Sequence, residues 1–307
     1  MLSVVIPAYN EEGLILTAAT RIGSILAEAA IPYELIFVDD GSRDRTWEQI
    51  QAVAQGNENV RGVSFSRNFG KEAAIFAGLE ASLGKCCAVI DCDLQHPPEK
   101  LVEMYRLWQE GWEVVHGVKT SRGKESAAHG FAAKCFYKLM SRAVKIDMSR
   151  ASDFKLMDRK VVDSLLELSE RNTFFRALVG WAGYKSTEVE FAVEERTEGA
   201  THWSTLSLFR YAISNITSYS STPMQIVTIL GVITLISSAV LTVQTLARWA
   251  MGNAADGFTT VIILLLFIGS ILMISLGVIG YYISQIYMEI KGRPRYLVAR
   301  TCGDGKD

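Results

Sequence analysis

The chain has 307 residues, of which 49% are hydrophobic, and its formal net charge is −2 at pH 7. This length accommodates one sizeable domain and a smaller appendage. A chain without a surplus of positive charge is poorly suited to a polyanion, so we expect no nucleic-acid partner.

The amino-terminal part of the chain alternates short apolar runs with helical patterns. The apolar runs predict strands at Ser3–Pro7, Glu34–Asp39, Val60–Ser66, Cys86–Ile90 and Glu113–Gly117. The helical patterns between them lie at Glu11–Ala30, Asp44–Ala54, Lys71–Ser82 and Pro98–Glu110. Strands that alternate with helices predict an α/β domain with a mostly parallel, doubly wound sheet.

A mixed segment follows this alternation. It contains a basic helical pattern at about Ser126–Val144, a short strand at Phe154–Met157, a helix at Arg159–Ser169 and a strand near Thr187–Glu194. Apolar residues at helical spacing in Leu206–Tyr219 predict an amphipathic helix at a membrane interface. The alternative is an ordinary amphipathic helix packed on the domain.

Two long stretches contain no charged residue, from Tyr211 to Ala247 and from Gly257 to Met288. Each is longer than the ~20 apolar residues that cross a bilayer. A buried helical hairpin is the alternative, but core helices rarely lack a polar face over such a length. The pattern therefore predicts two transmembrane helices, at roughly Ile226–Leu246 and Phe258–Tyr282.

The basic residues near these helices predict their orientation. The loop between them carries only Arg248, whereas the tail carries Lys291, Arg293, Arg295 and Arg300. By the positive-inside rule the tail is cytoplasmic, and two spans return the chain to the side of its amino-terminal domain. The predicted organisation is a cytoplasmic domain at 1–204, an interfacial helix at 205–222, a transmembrane hairpin at 223–288 and a cytoplasmic basic tail at 289–307.

Two carboxylates, Asp91 and Asp93, follow the fourth predicted strand. In an extended segment residues i and i+2 point the same way, so both are expected to aim from a strand's carboxyl end, where open α/β sheets bind ligands. Paired carboxylates favour a cation between them, and oxygen ligands suit Mg²⁺ or Mn²⁺ shared with a substrate diphosphate. The alternative is an acid pair that caps the next helix.

Polar residues also follow the first two strands. Tyr9 and Glu11 come after the first strand, and Asp39 and Asp40 end the second. Together with Asp91 and Asp93, three strand ends therefore carry carboxylates at one edge of the sheet. A nucleotide site needs such acceptors for the ribose hydroxyls and the N–H groups of the base. No G-x-G-x-x-G follows the first strand, which disfavours a dinucleotide site of the Rossmann type.

Together these residues resemble the family 2 glycosyltransferases. The segments S-R-N-F-G-K-E-A-A at 66–74, D-L-Q-H-P-P-E at 93–99 and D-F-K-L-M-D-R at 153–159, with the two apolar spans, are similar to its polyisoprenyl-phosphate branch. That branch includes dolichol-phosphate mannose synthases and bacterial bactoprenol glucosyltransferases, and the two-span tail is most similar to the latter. The resemblance covers nearly the whole chain.

The resemblance implies a GT-A-like domain that transfers one sugar, with inversion, from a nucleotide-sugar to a polyprenyl phosphate. The expected acceptor is undecaprenyl phosphate at the cytoplasmic face of the inner membrane, and the first choice of donor is UDP-glucose. The resemblance also implies a homo-oligomer, specifically a tetramer.

Site residues follow from the resemblance position by position. The residues implied to hold the nucleotide-sugar are Pro7, Tyr9, Glu11, Asp39, Asp40, Asp91 and Lys119. Asp91 and Asp93 are implied to hold the metal and the diphosphate, and Asp153 matches the proposed catalytic base, so Asp93 and Asp153 are the catalytic candidates. Lys119 replaces a more common Arg and so lacks the forked geometry that grips a diphosphate.

The acceptor's own chemistry bears on Asp153. A phosphate monoester has a second pKa near 6, so it is mostly dianionic at pH 7 and hardly needs a general base. Asp153 is therefore expected to position a substrate or to steady positive charge at the anomeric carbon. The alternative is a turn acid without substrate contact.

A lipid phosphate needs cations, and the candidates are Arg122, Arg196 and His202. His202 stands where the family pattern R-x-x-G-x-[ST]-K has Lys, so the phosphate-binding role of this position depends on pH. The alternative for each is a charge that faces solvent or lipid headgroups.

Several functions remain open at this point. Within the class, the donor could be UDP-N-acetylglucosamine, a modified aminoarabinose donor or GDP-mannose. Outside it, a catalytically dead membrane scaffold is an alternative that the intact Asp91 and Asp93 disfavour. A processive polysaccharide synthase is disfavoured because two spans are too few for a channel and no Q-x-x-R-W occurs.

Overall fold

The computed structural model describes residues 1–120, 151–168, 174–192, 222–251 and 258–303. The chain divides into two compact units. The first unit joins Met1–Leu208 to Pro294–Asp307, and the second is Phe209–Arg293.

The first unit is built on one mixed sheet. Its strands are β1 (Leu2–Ala8), β2 (Tyr33–Asp39), β3 (Val60–Phe65), β4 (Cys86–Val89), β5 (Val114–Lys119), β6 (Ala151–Asp158), β7 (Ser186–Phe191) and β8 (Val298–Cys302). Their order across the sheet is β7-β5-β6-β4-β1-β2-β3-β8. Strands β3, β2, β1 and β4 run parallel, as do β5 and β7, whereas β6 is antiparallel to both its neighbours and β8 is antiparallel to β3. The predicted α/β class is confirmed, with antiparallel strands in the sheet.

Helices cover both faces of this sheet. They are α1 (Ile15–Glu28), α2 (Thr46–Gly56), α3 (Lys71–Ala81), α4 (Lys100–Gln109), α5 (Arg159–Glu167) and α6 (Phe175–Trp181). In β1, Val4 and Ile6 pack in a core with α1, α2 and α4, whereas Val5 points to the opposite core with α3, α5 and α6. Both faces of β1 are therefore buried, which explains its continuous apolar sequence.

The end of the chain returns to the sheet as β8, a strand that the sequence analysis did not predict. Ahead of it, the Tyr296 ring stacks on Phe65 with 4.8 Å between centroids. The Arg295 guanidinium lies 4.4 Å from the centre of the Phe76 ring. Arg295 is one of the basic residues from which the orientation of the apolar helices was predicted, and it also contributes to packing within the first unit.

The second unit contains two long apolar helices, α7 (Thr222–Ala250) and α8 (Phe258–Ile290), which contact one another. Their most apolar windows are Val227–Arg248 and Phe267–Ile290, and no residue of these windows is buried. By length and composition each helix could cross a bilayer. Both predicted apolar segments fall within these helices.

Two predicted helices lie outside the described residues. These are the basic helix at about Ser126–Val144 and the interfacial helix at Leu206–Tyr219. Both helices, and the interfacial segment assigned to 205–222, stay predictions.

A glycine two residues after the end of β2 permits the turn that follows this strand. Gly41 has a φ of +65°, and a Cβ at this position would lie 2.3 Å from the carbonyl carbon of Arg67. Gly41→Ala is expected to lower the free energy of unfolding by about 2 kcal/mol or more, because it adds backbone strain and a clash. Gly56→Ala is the control, since no atom lies within 4 Å of a Cβ there. Equal thermal unfolding midpoints for the two variants in detergent would contradict this expectation.

Candidate active site

The chain leaves the extended conformation before the predicted metal-binding pair. Strand β4 ends at Val89, and a turn covers Cys92 and Asp93. The alternation of side chains along a strand therefore does not apply to Asp91 and Asp93. Both are partly exposed, and Asp93 Oδ1 accepts a hydrogen bond of 3.1 Å from the Gln95 N–H. The convergence of the two carboxylates on one cation stays a prediction.

The strand register places the predicted site residues at one edge of the sheet. Ala8 pairs with Asp39, and Val5 pairs with Val89, so the residues that follow β1, β2 and β4 emerge together. This is the carboxyl edge of the parallel strands, where α/β sheets bind ligands.

An ion-pair cluster joins this edge to two helices. Lys71 Nζ, at the start of α3, lies 2.6 Å from Asp91 Oδ1 and 2.9 Å from Asp153 Oδ2. Arg176, from α6, contacts the same Asp153 through Nε at 2.6 Å and Nη2 at 2.8 Å. Asp153 is thus held by a two-point guanidinium contact and by an ammonium, which fixes its orientation.

The charges of this cluster determine the ionisation of Asp153. Burial raises the pKa of Asp153, but the Arg176 and Lys71 cations outweigh burial and hold that pKa well below its ordinary value. Burial likewise lowers the pKa of Lys71, but the Asp153 and Asp91 carboxylates outweigh it and hold that pKa above its ordinary value. Asp153 therefore remains a carboxylate at neutral pH and is a weak base.

Glu72 connects α3 to α6 behind the cluster. Its Oε2 accepts a hydrogen bond of 2.9 Å from the Phe175 N–H, next to Arg176. Burial, reinforced by the Asp153 carboxylate, raises the pKa of Glu72 to about 8. The hydrogen bond from Phe175 to Glu72 holds the start of α6 in place.

His96 faces Asp91 from an aromatic enclosure. Its ring stacks on Phe154 with 5.3 Å between centroids and meets Phe191 edge-on at 5.2 Å. Burial lowers the pKa of His96, so the imidazole is neutral at pH 7. His96 Nδ1 is 3.8 Å from Asp91 Oδ2 and has no hydrogen-bond partner among the described residues. The contact with Asp91 is therefore not a salt bridge.

Lys119, at the end of β5, shares the electrostatic environment of the cluster. Burial and the Arg176 charge lower the pKa of Lys119 below its ordinary value, and the Asp91 and Asp153 carboxylates offset this only in part. The structure therefore brings this predicted residue near both carboxylates.

Asp39 and Asp40 hold the loops of the predicted nucleotide-binding edge. Asp39 accepts hydrogen bonds from the Ser42 N–H at 2.9 Å and from the Ser64 hydroxyl at 2.7 Å. Asp40 accepts from the N–H groups of Phe69 at 2.6 Å and of Gly70 at 2.9 Å. These bonds dock the S-R-N-F-G segment onto the end of β2. A direct role of either carboxylate toward a nucleotide stays a prediction.

The remaining nucleotide candidates lie at the end of β1. Pro7 is partly buried within the strand, and Tyr9 is 41% exposed. The Glu11 N–H donates a hydrogen bond of 2.8 Å to the Thr46 hydroxyl. Tyr9 is thus accessible to a ligand, whereas the backbone of Glu11 is anchored. The lipid-phosphate candidates Arg122, Arg196 and His202 lie outside the described residues.

The sequence analysis did not assign a role to four residues of this site: Lys71, Glu72, His96 and Arg176. Lys71 and Glu72 belong to the S-R-N-F-G-K-E-A-A segment, and His96 to D-L-Q-H-P-P-E, so both motifs contained a signal. Arg176 lies in no recognised motif, and only the packing of α6 brings it to Asp153.

The carboxylates Asp91 and Asp93 fit a divalent cation whose remaining ligands come from a bound substrate. Among the described residues no group of three His, Cys, Asp or Glu side chains could hold a metal ion. Mg²⁺ is ordinarily bound by one or two carboxylates together with substrate phosphates and water. Asp91, with a quarter of its side chain exposed, and the partly exposed Asp93 suit that mode better than a site formed by protein ligands alone.

A second buried pair lies on the neighbouring strands. Lys155 Nζ is 2.9 Å from His116 Nδ1, and the two residues are register partners in β6 and β5. Burial lowers the pKa of Lys155 to about 8. Burial, with the nearby Lys155 charge, lowers the pKa of His116 to about 3.

The lowered pKa of His116 predicts a loss of stability in acid. Between pH 6.5 and pH 3 the unfolded chain binds a proton at this imidazole and the folded chain does not, so stability falls as the pH falls. From pH 6.5 to pH 5, His116 is expected to account for about 2 kcal/mol. His116→Gln keeps an acceptor for Lys155 and removes this dependence. Thermal unfolding midpoints against pH test this, and parallel profiles for parent and variant would contradict it.

Comparisons with known proteins agree with this architecture. Residues 3–166 match the family model described as Glycosyl transferase family 2. An uncharacterized glycosyltransferase of Synechocystis is 40% identical over 304 residues, which cover 98% of this chain and 96% of that protein. A bactoprenol glucosyl transferase of Shigella phage SfII is 33% identical over 306 residues, and a prophage bactoprenol glucosyl transferase homolog of Escherichia coli is 35% identical over 306 residues. Both matches cover 98% of this chain, and they cover 98% of the phage protein and 99% of the prophage protein.

Solved structures share this fold over most of the chain. Glucosyl-3-phosphoglycerate synthase from Mycobacterium tuberculosis, in complex with Mn²⁺, UDP-glucose and phosphoglyceric acid, matches with a TM-score of 0.52 and 22% identity. The match covers 71% of this chain and 79% of that one. Mannosyl-3-phosphoglycerate synthase from Rubrobacter xylanophilus matches with the same TM-score at 18% identity, over 71% and 72% of the two chains. The sequence matches extend over nearly the full chain and confirm the resemblance read from the motifs: this protein belongs to glycosyl transferase family 2.

Proposed function

We propose that this glycosyltransferase transfers one glucose, with inversion, from UDP-glucose to undecaprenyl phosphate. The observation that carries the proposal is the match to proteins named bactoprenol glucosyl transferases, which extends over 98% of this chain and includes both apolar helices. A polyprenyl phosphate is a membrane-bound acceptor, so an enzyme with its own apolar helices is suited to meet it.

The proposed location is the cytoplasmic membrane, with the first unit in the cytoplasm. Two helices long and apolar enough to span a bilayer support it, as does the basic composition of the tail after α8. The proposed catalytic domain comprises residues 1–204. A tetramer is part of the proposal, and the mass of the detergent-solubilised particle tests it.

The proposed reaction forms a bond between an oxygen of the acceptor phosphate and the anomeric carbon of the sugar. The bond from that carbon to the donor diphosphate breaks, and its electron pair leaves with the nucleoside diphosphate. Because the acceptor is a dianion near neutral pH, no proton has to be removed. Attack from the face opposite the leaving group inverts the configuration at the anomeric carbon.

In this reaction Asp153 acts as a fixed negative charge. The Arg176 and Lys71 cations hold the pKa of Asp153 well below its ordinary value, which opposes proton abstraction. A carboxylate in a fixed orientation can steady the positive charge that develops at the anomeric carbon. Lys119 is the candidate for contact with the donor, and Arg122, Arg196 and His202 are the candidates for the acceptor phosphate.

Asp91 and Asp93 are the proposed ligands of Mg²⁺ or Mn²⁺. A bound cation supplies Lewis-acid stabilisation of the leaving nucleoside diphosphate. Asp91 and Asp93 would hold the cation, and the loops that Asp39 and Asp40 hold by hydrogen bonds would help to orient the donor.

The test is a donor screen with purified full-length protein. Radiolabelled UDP-glucose, UDP-N-acetylglucosamine and GDP-mannose are each incubated with undecaprenyl phosphate in detergent, and the lipid product is extracted and chromatographed. We expect a labelled lipid from UDP-glucose that depends on the acceptor and is absent with Asp91→Asn protein. A product from another donor would correct the sugar and leave the reaction class intact. No lipid product from any donor, with folded protein, would favour a catalytically dead scaffold.

A further inference from the structure

We propose that Lys71 is the resident counter-ion of Asp91 and Asp153, and that a divalent cation displaces its ammonium from Asp91. The inference rests on the proposed function, because it takes Asp91 as a metal ligand. It adds to Lys71, a residue of α3 that already contacts Asp153, a role toward the metal. The consequence is a competition between the protein's own cation and the metal.

The geometry places Lys71 on the metal-binding carboxylate. Its Nζ lies 2.6 Å from Asp91 Oδ1, within ordinary ion-pair distance. The other oxygen, Oδ2, lies 3.8 Å from His96 Nδ1, which is beyond hydrogen-bond distance. Lys71 therefore places a positive charge in direct contact with Asp91.

The charge balance indicates why the metal and Lys71 compete. Asp91 and Asp153 carry two negative charges, and Lys71 and Arg176 carry two positive ones. An added divalent cation therefore meets carboxylates whose charges two cations already offset, and it approaches Asp91 Oδ1, which has the Lys71 ammonium 2.6 Å away. Like charges a few ångströms apart repel, so the ammonium weakens metal binding in the absence of a diphosphate.

Lys71 is also able to leave Asp91 without breaking the cluster. Asp153 keeps its two-point contact with Arg176, and Lys71 retains Asp153 as a partner at 2.9 Å. The Lys71 side chain is 42% exposed, and its flexible stem allows the ammonium to swing toward solvent. The pair therefore has two accessible arrangements, with and without the Asp91 contact.

Mn²⁺ binding to the full-length protein in detergent, without nucleotide, tests the proposal. Electron paramagnetic resonance measures free Mn²⁺ for the parent, Lys71→Gln and Lys71→Arg. Lys160→Gln is the matched control, because it removes one Lys charge from an exposed site on α5 whose carboxylate partner is Glu113. We expect Lys71→Gln to bind Mn²⁺ about five- to tenfold more tightly, with the other two variants within about twofold of the parent.

Unchanged or weaker Mn²⁺ binding by folded Lys71→Gln protein overturns the proposal. If that variant does not fold, amine acetylation of the parent, followed by mass spectrometry, supplies the test. Mn²⁺ is then expected to increase modification of Lys71, and no increase overturns the proposal.

Asp91→Asn separates this failure from failure of the proposed function. Loss of Mn²⁺ binding in that variant, with no effect of Lys71→Gln, leaves the metal site standing and removes only the role of Lys71. Mn²⁺ binding by Asp91→Asn protein equal to that of the parent shows that the metal is not at Asp91; the assignment of Asp91 as a ligand and the role of Lys71 then both fail, and the donor screen tests the sugar transfer separately.

Discussion

Replacing either Asp91 or Asp93 by Asn is expected to lower the rate of sugar transfer roughly a thousandfold, or by about 4 kcal/mol of transition-state stabilisation. The reason is the loss of an anionic ligand from a site where a cation would stabilise the leaving diphosphate. The fold is expected to persist, because Asn keeps the size of Asp and can still accept the Gln95 N–H at position 93. The measurement is kcat for formation of the glycolipid, with the unfolding midpoint determined alongside.

Glu103→Gln is the control for charge. Glu103 lies on α4, paired with Lys100 and half-exposed, so its loss changes the domain's net charge equally without touching the site. We expect nearly normal turnover from that variant. Full activity of the parent in EDTA, with the protein shown to be free of metal, would contradict the metal requirement.

Replacing Asp153 by Asn is expected to slow turnover roughly a hundredfold or more, and raising the pH is not expected to restore activity. The Arg176 and Lys71 cations hold the pKa of Asp153 well below its ordinary value, so the carboxylate does not titrate where the enzyme works. The acceptor phosphate is ionised above its second pKa near 6. The loss therefore reflects a missing negative charge rather than a missing base. The measurement is the profile of kcat against pH with saturating acceptor.

Stability has to be controlled in this experiment, because Asp153→Asn removes the buried negative charge that pairs with Lys71 and Arg176. Breaking such a pair can cost about 3–5 kcal/mol. Rates are therefore compared at a temperature well below the unfolding midpoint of the variant. Asp163→Asn, an exposed change on α5, is the matched control. Recovery of activity on the alkaline side would contradict a positioning role and indicate general-base catalysis.

The strands buried on both faces were predictable from local sequence. The runs at Ser3–Pro7 and Cys86–Ile90 are continuous and apolar, and the observed strands are Leu2–Ala8 and Cys86–Val89. Burial on both faces leaves no polar alternation, so the signal is strong even in a short segment. The length of the two uncharged apolar stretches likewise predicted the helices α7 and α8.

Strand β8 and the direction of β6 were not predictable in this way. Residues Val298–Cys302 are mostly exposed and contain Arg300 and Thr301, so no period of apolar residues marks them. They form a strand because they pair with β3, far earlier in the chain. The place of β6 between β4 and β5, antiparallel to both, likewise follows from pairing and not from local propensity.

The candidate site likewise contains residues that local sequence predicted and residues that it did not. The acidic strand ends and Asp153 stood out in the sequence, because carboxylates after apolar runs and motif resemblance are local signals. The partners of those carboxylates did not stand out: Lys71 is 82 positions from Asp153, and Arg176 is 23 positions away. Charge in a side chain predicts that a partner is needed, but it does not indicate which one.

The sequence by itself determined the α/β class, the two apolar helices, the family and the acidic edge of the sheet, since each rests on periodicity, length or motif within a continuous stretch. Only the tertiary structure decided that Asp153 is held by Arg176 and Lys71, that Asp91 pairs with the Lys71 ammonium, and that β8 pairs with β3. The physical reason is that ion pairs and strand pairs form between segments distant in sequence, and their energies depend on burial and distance, which the fold alone sets.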